Sequence, residues 1–239
     1  MNPDNDRTSL RLSATLLLAG QILYILVTQL HADGPANNHP VVFAEYAGSE
    51  IWTAVHLGQF LCMAILLAGV LSLYFALDVR TATARMAGRF GAASAVVALA
   101  LYGALQSVDG VANKQADVAW VTAADVEKTA RFASAEAIRW IEWGLRSYHD
   151  VALGLALILF AVAVAQSASI PRPIAYLMGL SGLTYLVQGW VVGSQGFSQT
   201  ESILIVLAWV LSVAWMIWLL VVARRIFTVN DQRTIFGQK

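Results

Sequence analysis

The chain has 239 residues, of which 58% are hydrophobic and 13% are charged, and its formal net charge is zero. Soluble domains carry about 25% charged residues, so this composition indicates an integral membrane protein. The chain has no basic patch interleaved with aromatic residues, which argues against a nucleic-acid partner. Its one cysteine, Cys62, excludes an internal disulfide and any multi-cysteine metal motif.

Six segments are apolar and long enough to cross a bilayer, which takes about 20 residues each. They account for most of the chain, so we expect one integral membrane domain over residues 1–239, with an all-α, polytopic fold of six transmembrane helices. The expected spans are roughly 11–30, 52–77, 86–110, 147–167, 173–195 and 202–226, with outer loops at 31–51 and 111–146.

The basic residues predict the topology. Ten of the fifteen Lys and Arg residues lie at the two termini, in the 78–89 loop or beside Pro171. The loops at 31–49 and 196–200 contain none. By the positive-inside rule both termini are therefore cytoplasmic. We expect a multi-pass protein of the bacterial inner (plasma) membrane.

The first outer loop has turn chemistry at Asp33-Gly34-Pro35, followed by Asn38-His39-Pro40, which suits a helix cap with proline in the first turn. Residues 40–50 are expected to form a short interfacial helix that lies as a lid over the outer mouth of the bundle.

The second outer loop is polar and favours helix. The fourth long helix is expected to start near Thr122, with Thr122 as its cap, and to enter the bilayer near Arg146. An aromatic belt at the outer headgroup layer is expected from four tryptophans, Trp52, Trp140, Trp143 and Trp190.

Polar side chains interrupt the outer halves of five spans. Ionisable groups inside a bilayer are costly and usually mark a functional site. Helical spacing aligns them in stripes, and these stripes converge if the polar groups avoid lipid. The sequence thus predicts one outward-facing pocket. Its expected ligand-binding residues are His56, Gln106, Glu142, Arg146, Tyr185 and Gln188, and its expected catalytic residues are Asp109, His149 and Asp150.

Other roles compete for these residues. Gln21, Thr28, Gln59 and Ser181 fit hydrogen bonds that hold the helices together. Glu142 is spaced to pair with Arg146, and Arg146 can also reach Asp150. A network of surface ion pairs that needs no ligand would account for Arg139 and Glu142.

Three chemistries fit the pocket: binding of a ligand, acid–base catalysis, and binding of haem or a metal ion. The leading hypothesis is binding of a lipid-like or amphipathic small molecule, with Arg146 on an anionic headgroup, with or without acid–base chemistry by His149 paired with Asp150 or Asp109. The alternative is a haem- or metal-binding protein that uses His56 and His149. His31 and His39 with Asp109 or Asp150 would complete a metal site. The sequence does not identify a cofactor.

The small-residue face of the third span, formed by Gly88, Gly91, Ala92 and Ala95, would allow close helix packing within the chain or in a homo-oligomer. Membrane lipids and an amphipathic small molecule are the other expected partners.

Residues 148–190 resemble a broad group of uncharacterised six-helix bacterial integral membrane proteins classed as a domain of unknown function. The resemblance lies in His149 at the start of a Gly/Leu-rich span, in Ile170-Pro171-Arg172, and in the run from Met178 to Val187. It implies a six-helix topology and marks His149 as a position of interest.

Overall fold

The computed structural model of the chain describes residues 3–32, 34, 35, 37–79 and 81–236. Asp33 of the predicted turn and the predicted cytoplasmic cations Arg80 and Lys239 lie outside these residues. The described residues are almost entirely helical. The helices are α1 (Pro3–Thr28), α2 (His39–Gly48), α3 (Trp52–Ala76), α4 (Ala82–Ser107), a π-helical segment (Val108–Asn113), α5 (Lys114–Val121), α6 (Asp125–Ala165), α7 (Arg172–Gln195) and α8 (Gln199–Phe236).

Six helical segments in the described residues are long and apolar enough to span a membrane, which confirms the predicted all-α, six-span fold. They are Thr8–Thr28, Trp52–Ala76, Ala82–Val121, Asp125–Ala165, Arg172–Gln195 and Gln199–Arg225. With an even number of spans, both termini lie at one end of the bundle. The opposite end carries α2 and α5, and we call it the α2 end.

The spans form a ring in chain order. Each span packs on the next one along the chain, and α8 packs back on α1. The most extensive seam joins α6 and α7, where a Cβ added to Gly182 would lie 2.7 Å from the carbonyl oxygen of Gly154. The small-residue face of α4 is used within the chain, because Gly91 lies against the Phe160 ring of α6.

The predicted loop 111–146 is mostly helical. The third span continues through the π segment and α5 to Val121, and only residues 122–124 interrupt it before α6 begins at Asp125. The predicted cap at Thr122 is therefore wrong by two residues, since Ala124 directly precedes α6. Thr122 instead ends α5, and its hydroxyl donates to the carbonyl oxygen of Val118. A residue that caps a helix start has non-helical dihedral angles itself, whereas Thr122 has helical ones.

The predicted interfacial helix forms as α2 at the α2 end of the bundle. It packs on α5 through a small hydrophobic cluster that is separate from the main core and contains Val42, Phe43, Tyr46, Trp52 and Ala135. The Lys114 ammonium group donates to the carbonyl oxygens of Tyr46, Ala47 and Ser49 at 2.9, 2.8 and 2.7 Å. A cation at a helix C-terminus satisfies carbonyl groups that the helix leaves open. Lys114 thereby ties α2 to the third span.

Candidate functional site

A cavity of about 410 Å³ opens inside the ring at the α2 end. Ligand pockets have volumes of roughly 300–1,000 Å³, so it is large enough for a small molecule or a headgroup. Its wall combines aromatic rings with charged and amide groups from α1, α2, α3, α4, the π segment, α6 and α8. The lining residues include Tyr24, Thr28, His31, Tyr46, Gln59, Tyr102, Gln106, Asp109, Arg139, Glu142, Arg146, Phe197, Glu201 and Trp209.

A chain of buried polar contacts runs across one wall. The Arg139 guanidinium donates to Glu142 Oε2 at 2.7 Å, and Asn113 Nδ2 donates to the same oxygen at 2.6 Å. Asn113 Nδ2 also lies 3.2 Å from Asp109 Oδ1. Arg139 and Glu142 are only 4% and 2% exposed, so this is an interior pair and not the predicted surface network. Glu142 thus bonds to Arg139 and Asn113, while Arg146, its predicted partner, donates to Asp150.

Arg139 also lies between two aromatic rings. Its guanidinium carbon is 5.2 Å from the Tyr46 ring centroid and 4.5 Å from that of Phe197, both within cation–π range. Burial raises the pKa of Tyr46, so the phenol stays neutral. The Nε atom of Arg139 and the Oε1 atom of Gln106 are buried, and neither has a hydrogen-bond partner among the described residues. Both residues line the cavity.

His56 and Asp109 form a second buried pair, with Nε2 and Oδ2 3.0 Å apart. His56 Nδ1 is 2.7 Å from the carbonyl oxygen of Trp52, one turn earlier on α3. The His31 ring from the end of α1 lies 5.0 Å from the His56 ring. Burial lowers the pKa of His31 below its ordinary value, which keeps this ring neutral near pH 7.

The π segment that carries Asp109 is held by α3. Trp52 Nε1 donates to the carbonyl oxygen of Asp109 at 2.8 Å, and Thr53 Oγ1 donates to that of Gly110 at 2.9 Å. π-Helical turns are rare and occur frequently at functional sites. Trp52 is 1% exposed, so it does not belong to the predicted aromatic belt. Its indole instead fixes the position of Asp109.

The remaining predicted charges lie deeper in the bundle. Arg146 Nε donates to Asp150 Oδ2 at 3.1 Å, as predicted. His149 Nδ1 is 2.9 Å from the carbonyl oxygen of Ala98, its ring packs on Tyr102, and its Nε2 lies 4.0 Å from Asp150 Oδ1. The partner of Asp109 is His56 and not His149. The described contacts of His56 and His149 have no residue in common.

The structure therefore divides the predicted site residues into three groups. Gln106, Asp109, Glu142 and Arg146 line the cavity. His56 lines a neighbouring, largely apolar pocket of about 260 Å³ between α3 and α4, and Gln106 lies between the two spaces. His149, Asp150, Tyr185 and Gln188 are buried in the bundle but are not among the residues that line either space.

Sequence reasoning missed Tyr24, Phe197, Glu201 and Trp209. Tyr24 and Trp209 meet edge to face with ring centroids 6.2 Å apart, where α8 closes the ring on α1. Their depth in the membrane could have identified two of them. Tyr24 and Glu201 lie in the same halves of their spans as the polar stripes on the other helices.

No curated protein and no solved structure matches this chain. One family matches residues 12–223, nearly the whole chain, and it is described as a domain of unknown function, DUF4386. The coverage extends well beyond the predicted resemblance at residues 148–190, and it confirms that resemblance. This six-span membrane protein belongs to the DUF4386 family.

Proposed function

We propose that this protein binds an amphipathic, lipid-like small molecule in the cavity at the α2 end. The observation that carries the proposal is the composition of the cavity wall: aromatic rings and buried polar groups with open hydrogen-bonding capacity face one space of about 410 Å³. Small-molecule sites typically combine an apolar lining with a few polar groups that fix orientation.

The polar part of the ligand would lie against Arg146 and Gln106. Arg146 keeps further N–H donors beyond the one that it gives to Asp150, and a guanidinium suits the planar, bidentate recognition of phosphate or carboxylate. Gln106 offers a buried acceptor that no described residue uses. An anionic headgroup with a hydroxyl or amide would match both residues.

The apolar part of the ligand would extend toward the lateral pocket between α3 and α4. Leu57, Phe60 and Val111 line that pocket, and Gln106 borders both spaces. α3 and α4 also contact each other less extensively than α3 contacts α1 or α4 contacts α6. An acyl or isoprenoid chain could therefore leave the headgroup site sideways into lipid.

The orientation of the protein in the membrane is part of the same proposal. Arg85, Arg89 and Arg172 lie at the end of the bundle opposite the cavity, and the positive-inside rule assigns that end to the cytoplasm. In a bacterial plasma membrane the cavity would then face outward, with α2 above its mouth.

Native mass spectrometry of the full chain in mild detergent tests the proposal. We expect a co-purified lipid-like mass on the native chain that is reduced at least tenfold in Arg146→Gln. Gln106→Leu removes no described hydrogen bond of the Gln106 carbonyl oxygen, so it should weaken the adduct without disturbing the fold. Arg131→Gln is the matched control, because Arg131 lies on the same helix in an exposed pair with Glu127. A bare native chain, or an adduct of equal intensity in all variants, would refute the proposal.

A further inference from the structure

We propose that His31, His56 and Asp109 bind a divalent transition-metal ion at the wall of the cavity. Each residue offers one ligand atom, and the three atoms lie within 4.8 Å of one another. They come from three separate parts of the chain: the end of α1, the first turns of α3 and the π segment. This inference is independent of the amphipathic ligand.

The His56–Asp109 geometry leaves room for a cation between the two side chains. If His56 Nδ1–H donates to the carbonyl oxygen of Trp52, Nε2 is the unprotonated nitrogen of the neutral ring. It is buried, lies 3.0 Å from Asp109 Oδ2 and has no hydrogen-bond partner among the described residues. A cation held by both atoms would use the Nε2 lone pair and offset the charge of the carboxylate. Zinc at about 2.0 Å from a nitrogen and an oxygen in tetrahedral geometry holds those atoms roughly 3.3 Å apart, close to the observed separation.

The groups around the ligand atoms match the supporting shell of a metal site. Metal-binding histidines usually donate their second ring N–H to a carbonyl or carboxylate, which fixes the tautomer and the ring orientation. Here Trp52 supports two of the ligands. Its carbonyl oxygen lies beside His56 Nδ1, and its indole N–H donates to the backbone carbonyl oxygen of Asp109. Asn113 contacts the other carboxylate oxygen of Asp109 at 3.2 Å.

Gly110 lets α3 approach this closely. A Cβ at Gly110 would lie 2.6 Å from the Cβ of His56, so any other residue would push His56 away from its present position. The small residue beside Asp109 therefore keeps imidazole and carboxylate in reach of one ion.

The donor set identifies the class of ion. Two imidazole nitrogens and one carboxylate oxygen suit zinc, iron and their neighbours, whereas magnesium and calcium prefer oxygen ligands. Three protein ligands leave at least one coordination position open. His31 and Asp109 both line the cavity, so the open position would face its interior.

The test uses the tag-free full chain in detergent, stripped with chelator, loaded with zinc alone and dialysed. Metal content per chain is then measured by mass spectrometry of the elements, and cobalt loading gives a visible absorption band as an independent readout. We expect one zinc per native chain, and an affinity at least about tenfold weaker in His31→Gln and Asp109→Asn, since the loss of a supporting group alone costs that much. His31 is partly exposed, so His31→Gln should fold normally.

His39→Gln is the matched control. His39 forms a pair with Glu136 at 2.9 Å, the same chemistry as His56 and Asp109, but it is not a member of the three-residue cluster. Zinc binding should therefore survive His39→Gln. No retained zinc on the native chain, or equal binding by His31→Gln, would overturn the inference. A chain that keeps its lipid adduct but holds no zinc would refute only this inference.

Discussion

The buried ion pair of Arg139 and Glu142 should contribute strongly to the free energy of unfolding. We expect Glu142→Leu to leave the guanidinium buried without its carboxylate, because the two side chains are only 5% and 3% exposed. Removal of one partner from a buried pair costs about 3–5 kcal/mol of the free energy of unfolding. The Asn113 amide also loses an acceptor, which adds about 1 kcal/mol.

The aromatic contacts of Arg139 lower the expected loss in the free energy of unfolding. The rings of Tyr46 and Phe197 remain beside the guanidinium in Glu142→Leu, and a desolvated cation–π contact is worth about 2 kcal/mol. With the Asn113 contribution included, we therefore expect a net loss of about 2–4 kcal/mol. Reversible unfolding in mixed micelles with a rising fraction of dodecyl sulfate, followed by helical circular dichroism, measures it.

The same helix carries a matched control. Glu127 and Arg131 are 57% and 53% exposed and lie 3.3 Å apart, and such pairs contribute about 0.3–0.5 kcal/mol. Glu127→Leu should therefore have almost no effect. Adding Arg139→Met to Glu142→Leu should recover part of the loss, because the unpaired charge is gone. Equal effects of Glu142→Leu and Glu127→Leu, or no recovery in the double variant, would show that burial does not control the strength of this pair.

Three further variants test other contacts. Gly182→Ala should destabilise the bundle by about 1–3 kcal/mol in the same unfolding assay, because its Cβ would lie 2.7 Å from the Gly154 carbonyl oxygen at the α6–α7 seam. Lys114→Met should raise hydrogen–deuterium exchange over residues 39–48, since it removes three hydrogen bonds to the end of α2; unchanged exchange would mean that the hydrophobic cluster alone holds α2. Trp52→Phe removes the donor to the Asp109 carbonyl oxygen, so it should weaken zinc binding by about 10–100-fold, and an unaltered affinity would argue against a supporting role.

The spans could be predicted because bilayer thickness fixes their length and hydropathy marks their centres. The end of the third span could not, because its helix continues through polar residues after Gly110. Polarity at that point predicts a loop in water. Instead, α2 and α6 pack on the segment, and the carbonyl groups of Asp109 and Gly110 just before it accept hydrogen bonds from Trp52 and Thr53. Tertiary contacts decided the local structure there.

Helical spacing predicted that the polar stripes face inward, but it did not predict their pairing. Four of the nine predicted site residues line the cavity, namely Gln106, Asp109, Glu142 and Arg146. The partner of Glu142 could not be read from spacing, because both Arg139 and Arg146 are within one turn. Asn113, from a different helix, binds the same oxygen of Glu142 as Arg139 does, and no single-helix rule includes that contact.

The ring order of the spans has a consequence for biogenesis. During synthesis each new helix meets the helix made just before it, so most seams can form as the chain enters the membrane. The seam between α8 and α1 differs, because these two spans are separated by four other spans along the chain. Trp209 lines the cavity and contacts Tyr24 of α1 at that seam. The cavity is therefore closed only after α8 has packed on α1.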